Sequence, residues 1–192
     1  MFGIPRTTTA SFVRRSPLSV VSTISLEEVK GKPTTECCRR GKNWYFRDEN
    51  LDLVLGSHQP DASRCSVSAC EKGTHSTLEE IVRSLPNAPR GTNVIELGRW
   101  AVQNGHAFTL PQLEVLIERA KRRQNTGLRI DGHRGNFCIV VPQSLETPVP
   151  VVRLGRAGNA WGIGVGGLSD TYASPRCRFL IRNLDLEAVT LR

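Results

Sequence analysis

The sequence predicts an α+β domain in which an N-terminal helical lobe packs on a C-terminal antiparallel β-sheet. Between residues 76 and 126 apolar residues recur at helical spacing behind recognisable caps. From Gly127 onward the pattern changes to short apolar runs separated by Gly, Pro, Asn and Asp, which is strand punctuation. Helices first and strands later is the α+β order. At 192 residues with 39% hydrophobic residues, the chain is about one domain long and can bury one core. The expected division is residues 1–33 as a disordered targeting or export segment and residues 34–192 as the domain. No apolar run approaches the roughly 20 residues that span a bilayer, so no transmembrane segment is expected.

The opening segment holds Arg6, Arg14 and Arg15 and many hydroxyls, and its first carboxylate is Glu27. Pro5 and Pro17 break any long helix, and no secretory apolar core follows. Residues 1–24 are therefore expected to be disordered and to act as an address. An Arg- and Ser-rich, acid-poor beginning suits an organelle transit peptide. With Ile4 it also resembles the start of bacterial type III effectors, which implies secretion into a host cell, the reading favoured here. Ser25 and Glu28 form a capping box for a short helical turn. Residues 43–55, aromatic then polar then alternating, read as a β-hairpin.

Residues 56–61 are loop, and Ser63 can cap a helix beginning near Arg64. Cys65 would then sit at a helix N-terminus, where unpaired N–H groups favour a thiolate. Gly73 ends this helix, and a second starts at Ser76 with Glu79 completing its box. Leu78, Ile81, Val82 and Leu85 share its inner face until Pro86 and Pro89. Asn93 starts a third helix, with Val94, Leu97, Trp100 and Ala101 inward. Thr109 and Gln112 box a fourth, with Leu113, Leu116, Ile117 and Ala120 inward. Arg119, Lys121, Arg122 and Arg123 crowd its last turn, where cations suit the helix dipole. The strands expected afterwards are LRID, NFCIVV, VPVVRL, WGIGV, CRFLI and AVTL. Cys138 and Cys177 lie inside these runs as small core hydrophobes.

A chemical constellation can be assembled on this frame. Gln59 stands six positions before Cys65, spaced so that its amide and the Cys65 N–H could stabilise one oxyanion. His133, at the mouth of NFCIVV, could take the thiol proton, and Asn159 could fix its tautomer by accepting the other ring N–H. His106 is the rival base. Gln59, Cys65, His133 and Asn159 with Ala160, Trp161 and Gly162 resemble the papain-like cysteine peptidases in order and motif. Within that superfamily the chain is similar to small bacterial leader-processing or effector peptidases. The resemblance implies a papain-like fold and thiol-protease hydrolysis of a protein or peptide substrate, possibly acidic, with no cofactor. Trp161 would shield the hydrogen bond between His and Asn.

Two other readings stay open. A formal charge of +8, most of it Arg, favours acidic partners. Helices near 77, 93 and 110 followed by LRID and FCIVV imitate a nucleic-acid-binding winged helix. Cys37 or Cys38 with Cys65, Cys70 and His75 could instead hold a structural zinc in an interaction protein. Finally, the glycines of WGIGVGG leave one strand face nearly bare, consistent with close strand or substrate approach.

Overall fold

A computed structural model describes residues 18–41, 43–132 and 134–183. The chain forms strands β1 (Ser19–Leu26) and β2 (Lys32–Pro33), a 3-10 turn at Thr34–Glu36, β3 (Trp44–Arg47), helix α1 (Leu51–Leu55), β4 (His58–Gln59), β5 (Cys65–Glu71) and β6 (Ser76–Thr77). Helices α2 (Leu78–Arg83), α3 (Val94–Gln103) and α4 (Leu110–Lys121) follow. The chain then returns to strands: β7 (Asn136–Ile139), β8 (Pro150–Ala157), β9 (Ala160–Gly167), β10 (Tyr172–Ala173) and β11 (Arg178–Arg182).

Seven strands make one sheet in the order β1-β5-β11-β7-β8-β9-β3. Most pairs are antiparallel, while β11 pairs with β7 and β3 with β9 in parallel. Side chains alternate across the pleat into two cores. Val67, Cys138, Val152, Leu154, Trp161 and Leu180 face Leu51, Leu55 and the inner stripe of α4. Phe137, Ile139, Val151, Phe179 and Ile181 face α2 and α3. Helices thus cover both faces of a central sheet.

The α+β class holds, and the division into lobes does not. Three helices lie between residues 78 and 121 as expected, but β1, β3 and β5 precede them and enter the same sheet as the later strands. The papain-like picture of a separate helical lobe packed on a separate sheet is corrected accordingly. The boundary at residue 34 moves as well, since β1 pairs with β5 from Ser19↔Glu71 to Leu26↔Cys65. The expected disorder therefore does not extend over residues 19–24, and Ser25 lies in a strand rather than at the start of a helical turn. Residues 1–17 of the expected address lie outside the described residues, as does AVTL.

Local corrections have local causes. LDLVL is helix α1, not a hairpin strand: Leu51 and Leu55 are four apart and both buried, so one face of a single turn reaches the core. The Asp48 side chain accepts the Asn50 N–H at 3.0 Å and turns the chain into it. The helix expected from Arg64 is instead β5, whose Cys65, Val67 and Ala69 enter one core while Cys70 enters the other. The box expected at Ser76 and Glu79 sits one residue later. There the Thr77 hydroxyl accepts from the Glu80 N–H at 3.2 Å and the Glu80 carboxylate accepts from the Thr77 N–H at 3.3 Å. The caps of α3 and α4, Asn93 and Thr109 with Gln112, stand where the sequence puts them. Residues 128–131 form no strand, which removes the first limb of the imagined wing.

Candidate functional site: a basic cleft

The end of α4 shapes one wall of a cleft of about 720 Å³. After Lys121 the backbone leaves the helix through Arg123, which has a φ of +59°. Two side-chain turns then fold it back: Asn125 Oδ1 accepts the Gly127 N–H and Thr126 Oγ1 accepts the Leu128 N–H, each at 3.2 Å. The Ser22 hydroxyl also donates to Asn125 Oδ1, tying this wall to the sheet's edge strand. The opposite wall is the β8–β9 hairpin, with Arg156 and Asn159, and Arg178 enters from β11. Leu128 and Trp161 underlie the cleft, and the half-exposed Ile130 projects beside them.

Lys121, Arg123, Arg156 and Arg178 all line this space, and among the described residues no carboxylate lines it. The four are held differently. Arg178 Nε donates to Glu71 at 2.5 Å and its Nη1 donates to the Gly127 carbonyl at 3.1 Å, so its fork is fixed. Lys121 donates to Asn43 and lies 3.7 Å from Glu118. Arg156 donates to the Ile130 carbonyl at 3.0 Å, a contact that fixes its position without neutralising it. Arg123 has no ion pair among the described residues.

Glu71 anchors this arrangement by accepting from both Arg129, at 2.9 Å, and Arg178. Burial pushes its carboxyl up, and the hydrogen bonds and charges of Arg129 and Arg178 outweigh that effect, leaving its pKa below the usual carboxylate value. A carboxyl with a depressed pKa in the folded state stabilises the fold above its unfolded value of about 4.3, and this contribution disappears as pH falls through the folded value. Glu71→Gln is therefore expected to cost about 1–3 kcal/mol at pH 7. Denaturant melts should show the gap from wild type closing below about pH 4.

Of the thiol constellation, Cys65 and Gln59 lie apart from this cleft and Asn159 lines it. Cys65 opens a strand, so the helix-dipole argument for its thiolate does not apply. It is buried against Leu26 in the α4 core and accepts a hydrogen bond from Gln112 Nε2 at 3.5 Å. Gln59 is buried with both ends of its amide engaged: Oε1 accepts the Leu110 N–H at 3.0 Å and Nε2 donates to the Leu55 carbonyl at 3.4 Å. One side chain thereby satisfies the start of α4 and the end of α1, two places where helices leave backbone groups unpaired. Asn159 lies on the β8–β9 hairpin in the cleft wall, its Oδ1 within 3.5 Å of Arg156. His133 lies outside the described residues.

His106, the rival base, belongs to the other side of the sheet. It lines a small apolar cavity with Leu78, Ile81 and Phe179, and its ring is tilted against Trp100 at 5.2 Å. Its Nδ1 is 2.9 Å from the Arg182 carbonyl, an acceptor only, so that nitrogen carries the proton. Burial lowers its pKa, and the bond to the Arg182 carbonyl opposes that shift in part. The zinc grouping also separates: Cys65 and Cys70 are five residues apart on one strand and point into opposite cores, and His75 is exposed. Among the described residues no cluster of three or more metal-ligating side chains occurs. Burial pushes the thiols of Cys37 and Cys70 up to about 12 and that of Cys138 still higher.

No protein-family model, curated protein or solved structure matches the chain. Among the described residues no helix is long and apolar enough to cross a membrane.

Proposed function

We propose that this chain is an anion-binding module whose basic cleft takes a phosphate-bearing ligand. One observation carries the reading: Lys121, Arg123, Arg156 and Arg178 converge on a single concave space that no carboxylate among the described residues lines. Concavity matters because low-dielectric walls concentrate the field of such cations on whatever enters. A guanidinium fork pre-positioned by other hydrogen bonds, as at Arg156 and Arg178, loses little freedom on gripping phosphate oxygens. The acidic partner favoured by the charge of +8 becomes, on this reading, a phosphate-bearing one.

The test is calorimetric titration of the intact chain with tripolyphosphate. Reversing the two cleft cations that have no ion pair among the described residues, Arg123→Glu with Arg156→Glu, replaces attraction by repulsion at two points. Each contact at about 4 Å is worth on the order of 1 kcal/mol in water, so each reversal costs about 2 kcal/mol and affinity should fall on the order of 1,000-fold at low salt. Raising the salt concentration should weaken wild-type binding in the same direction. Tripolyphosphate binding that is absent, or unchanged in the double variant, would sink the reading.

The thiol-hydrolase reading retains one supporting contact, the Gln112 amide donating to Cys65 Sγ. Its test is iodoacetamide labelling of the folded chain, with the modified cysteine mapped. Selective labelling of Cys65, together with peptide hydrolysis lost in Cys65→Ala, would support it. Labelling of Cys65 no faster than that of the deeply buried Cys138 would end it.

A further inference from the structure

Resting on the anion-binding reading, we infer that the ligand is single-stranded nucleic acid, with an unpaired base seated in the cleft and its backbone crossing the mouth. The first ground is the mixed lining of the cleft. Beside its cations it is lined by the buried Leu128 and Trp161 and the half-exposed Ile130. A bare phosphate needs no apolar floor. A nucleotide does, because its charged backbone and its flat apolar base must be met at different depths, and bases removed from a stack are held between apolar or aromatic side chains.

The second ground is the set of amides. Gln124, Asn125 and Asn159 line the same space. Asn125 and Asn159 each have their oxygen engaged, by Gly127 and Ser22 in one case and Arg156 in the other. Their Nδ2 groups, and the Gln124 amide, make no hydrogen bond among the described residues. Amide donors and acceptors beside an apolar floor are what reads a base edge.

The third ground selects a polymer over a mononucleotide. A second hollow of about 590 Å³ adjoins the first, and Gln124 lines both. It carries Lys30, Lys32, Arg119 and Arg122 together with the carboxylates of Glu114 and Glu118. Lys32 is paired with Glu114 at 2.6 Å and Lys30 with Asp61 at 3.3 Å, and the Arg119 guanidinium donates to the Ser25 carbonyl. Arg122 has no ion pair among the described residues. Arg119, Arg122, Arg123 and Arg156, none of them ion-paired among the described residues, therefore line the two hollows in succession. A flexible strand can follow such a path and turn a base inward. A duplex cannot, because its bases are stacked in pairs behind two convex backbones.

The experiment uses the full chain and fluorescence anisotropy with a 12-nucleotide single strand, as RNA and as DNA, and the corresponding 12-base-pair duplexes. Tripolyphosphate and phosphatidylserine vesicles serve as comparison ligands. The single strand is expected to bind at least 10-fold tighter than the duplex. With about three phosphates contacted, the logarithm of affinity should fall with that of salt at a slope near −2, and Arg123→Glu with Arg156→Glu should flatten it to about −0.7. Ile130→Ser, at a half-exposed position, should weaken the oligonucleotide 3- to 10-fold and tripolyphosphate by a smaller factor. Duplex binding as tight as single strand, or vesicle binding that depends on Arg123 and Arg156 while the oligonucleotide does not bind, overturns the inference. Tripolyphosphate binding with no gain for the oligonucleotide also overturns it and leaves the anion-binding reading standing. Failure of both ligands removes both.

Discussion

Trp161→Ala is expected to lower stability by about 3–5 kcal/mol, the usual cost of truncating a fully buried Trp. Trp161 is 1% exposed, pairs across β9 with Trp44 of β3 and packs in the core beneath α4. Against a typical total of about 5–15 kcal/mol this is a large fraction. At about 2–4 °C per kcal/mol for a chain of this size, the melting temperature should fall by roughly 6–20 °C. Because the same side chain underlies the basic cleft, the variant should also lose oligonucleotide affinity at temperatures where it remains folded. Thermal denaturation followed by circular dichroism, with binding measured well below the transition, separates the two effects. A change below about 1 kcal/mol would show that the pocket around the indole collapses on truncation, contrary to the close packing of this core.

Gly127→Ala should be nearly as damaging, for a different reason. Gly127 has a φ of +70°, a region that costs an alanine about 1–2 kcal/mol. Its added Cβ would also stand 2.6 Å from the Ala69 Cβ on β5, well inside contact distance. Overpacking of this kind costs about 1–3 kcal/mol, so a total near 2–5 kcal/mol is expected in a urea melt. The contributions can be separated by adding Ala69→Gly, which removes the opposing methyl and leaves the dihedral penalty. The double variant should recover part of the loss, a coupling that independent sites would not show. The Gly127 carbonyl holds Arg178, so the single variant should also loosen the cleft wall.

The sequence made some of this molecule readable and concealed the rest for physical reasons. α3 and α4 were legible because a cap, an apolar stripe and a stop signal coincide in each. β7, β8, β9 and β11 were legible as short apolar runs between turn residues. β5 was not: a strand covered on both faces shows no alternation, and Cys65, Ser66, Val67, Ser68, Ala69 and Cys70 are small enough to suit a helix equally well. β1 was hidden by an irregularity between Val20 and Ser22 that shifts its register, so Val20 packs with one core and Ile24 with the other. Gln59 looked catalytic because it stands six positions before Cys65, yet its amide joins two helix ends. The cleft was illegible because residues 121, 123, 156 and 178 meet only through the topology. The excess of Arg was the one signal on the page, and the helix dipole seemed to account for its densest run.

The strand order carries a consequence for how the molecule is made. β1 and β5 pair with each other, and β7, β8, β9 and β3 form a second group, and among the described residues only β11 joins the two. β11 lies more than a hundred residues after β5 in the chain, so the sheet is completed by a contact of high sequence separation, the kind that slows folding. During synthesis β5 and β7 each present an unpaired edge until Arg178–Arg182 has emerged and inserted between them. Such edges are templates for pairing with other chains. A chain lacking residues 178–182 would therefore hold two half-sheets with β5 and β7 as open edges, and that form is the one most exposed to pairing with other chains.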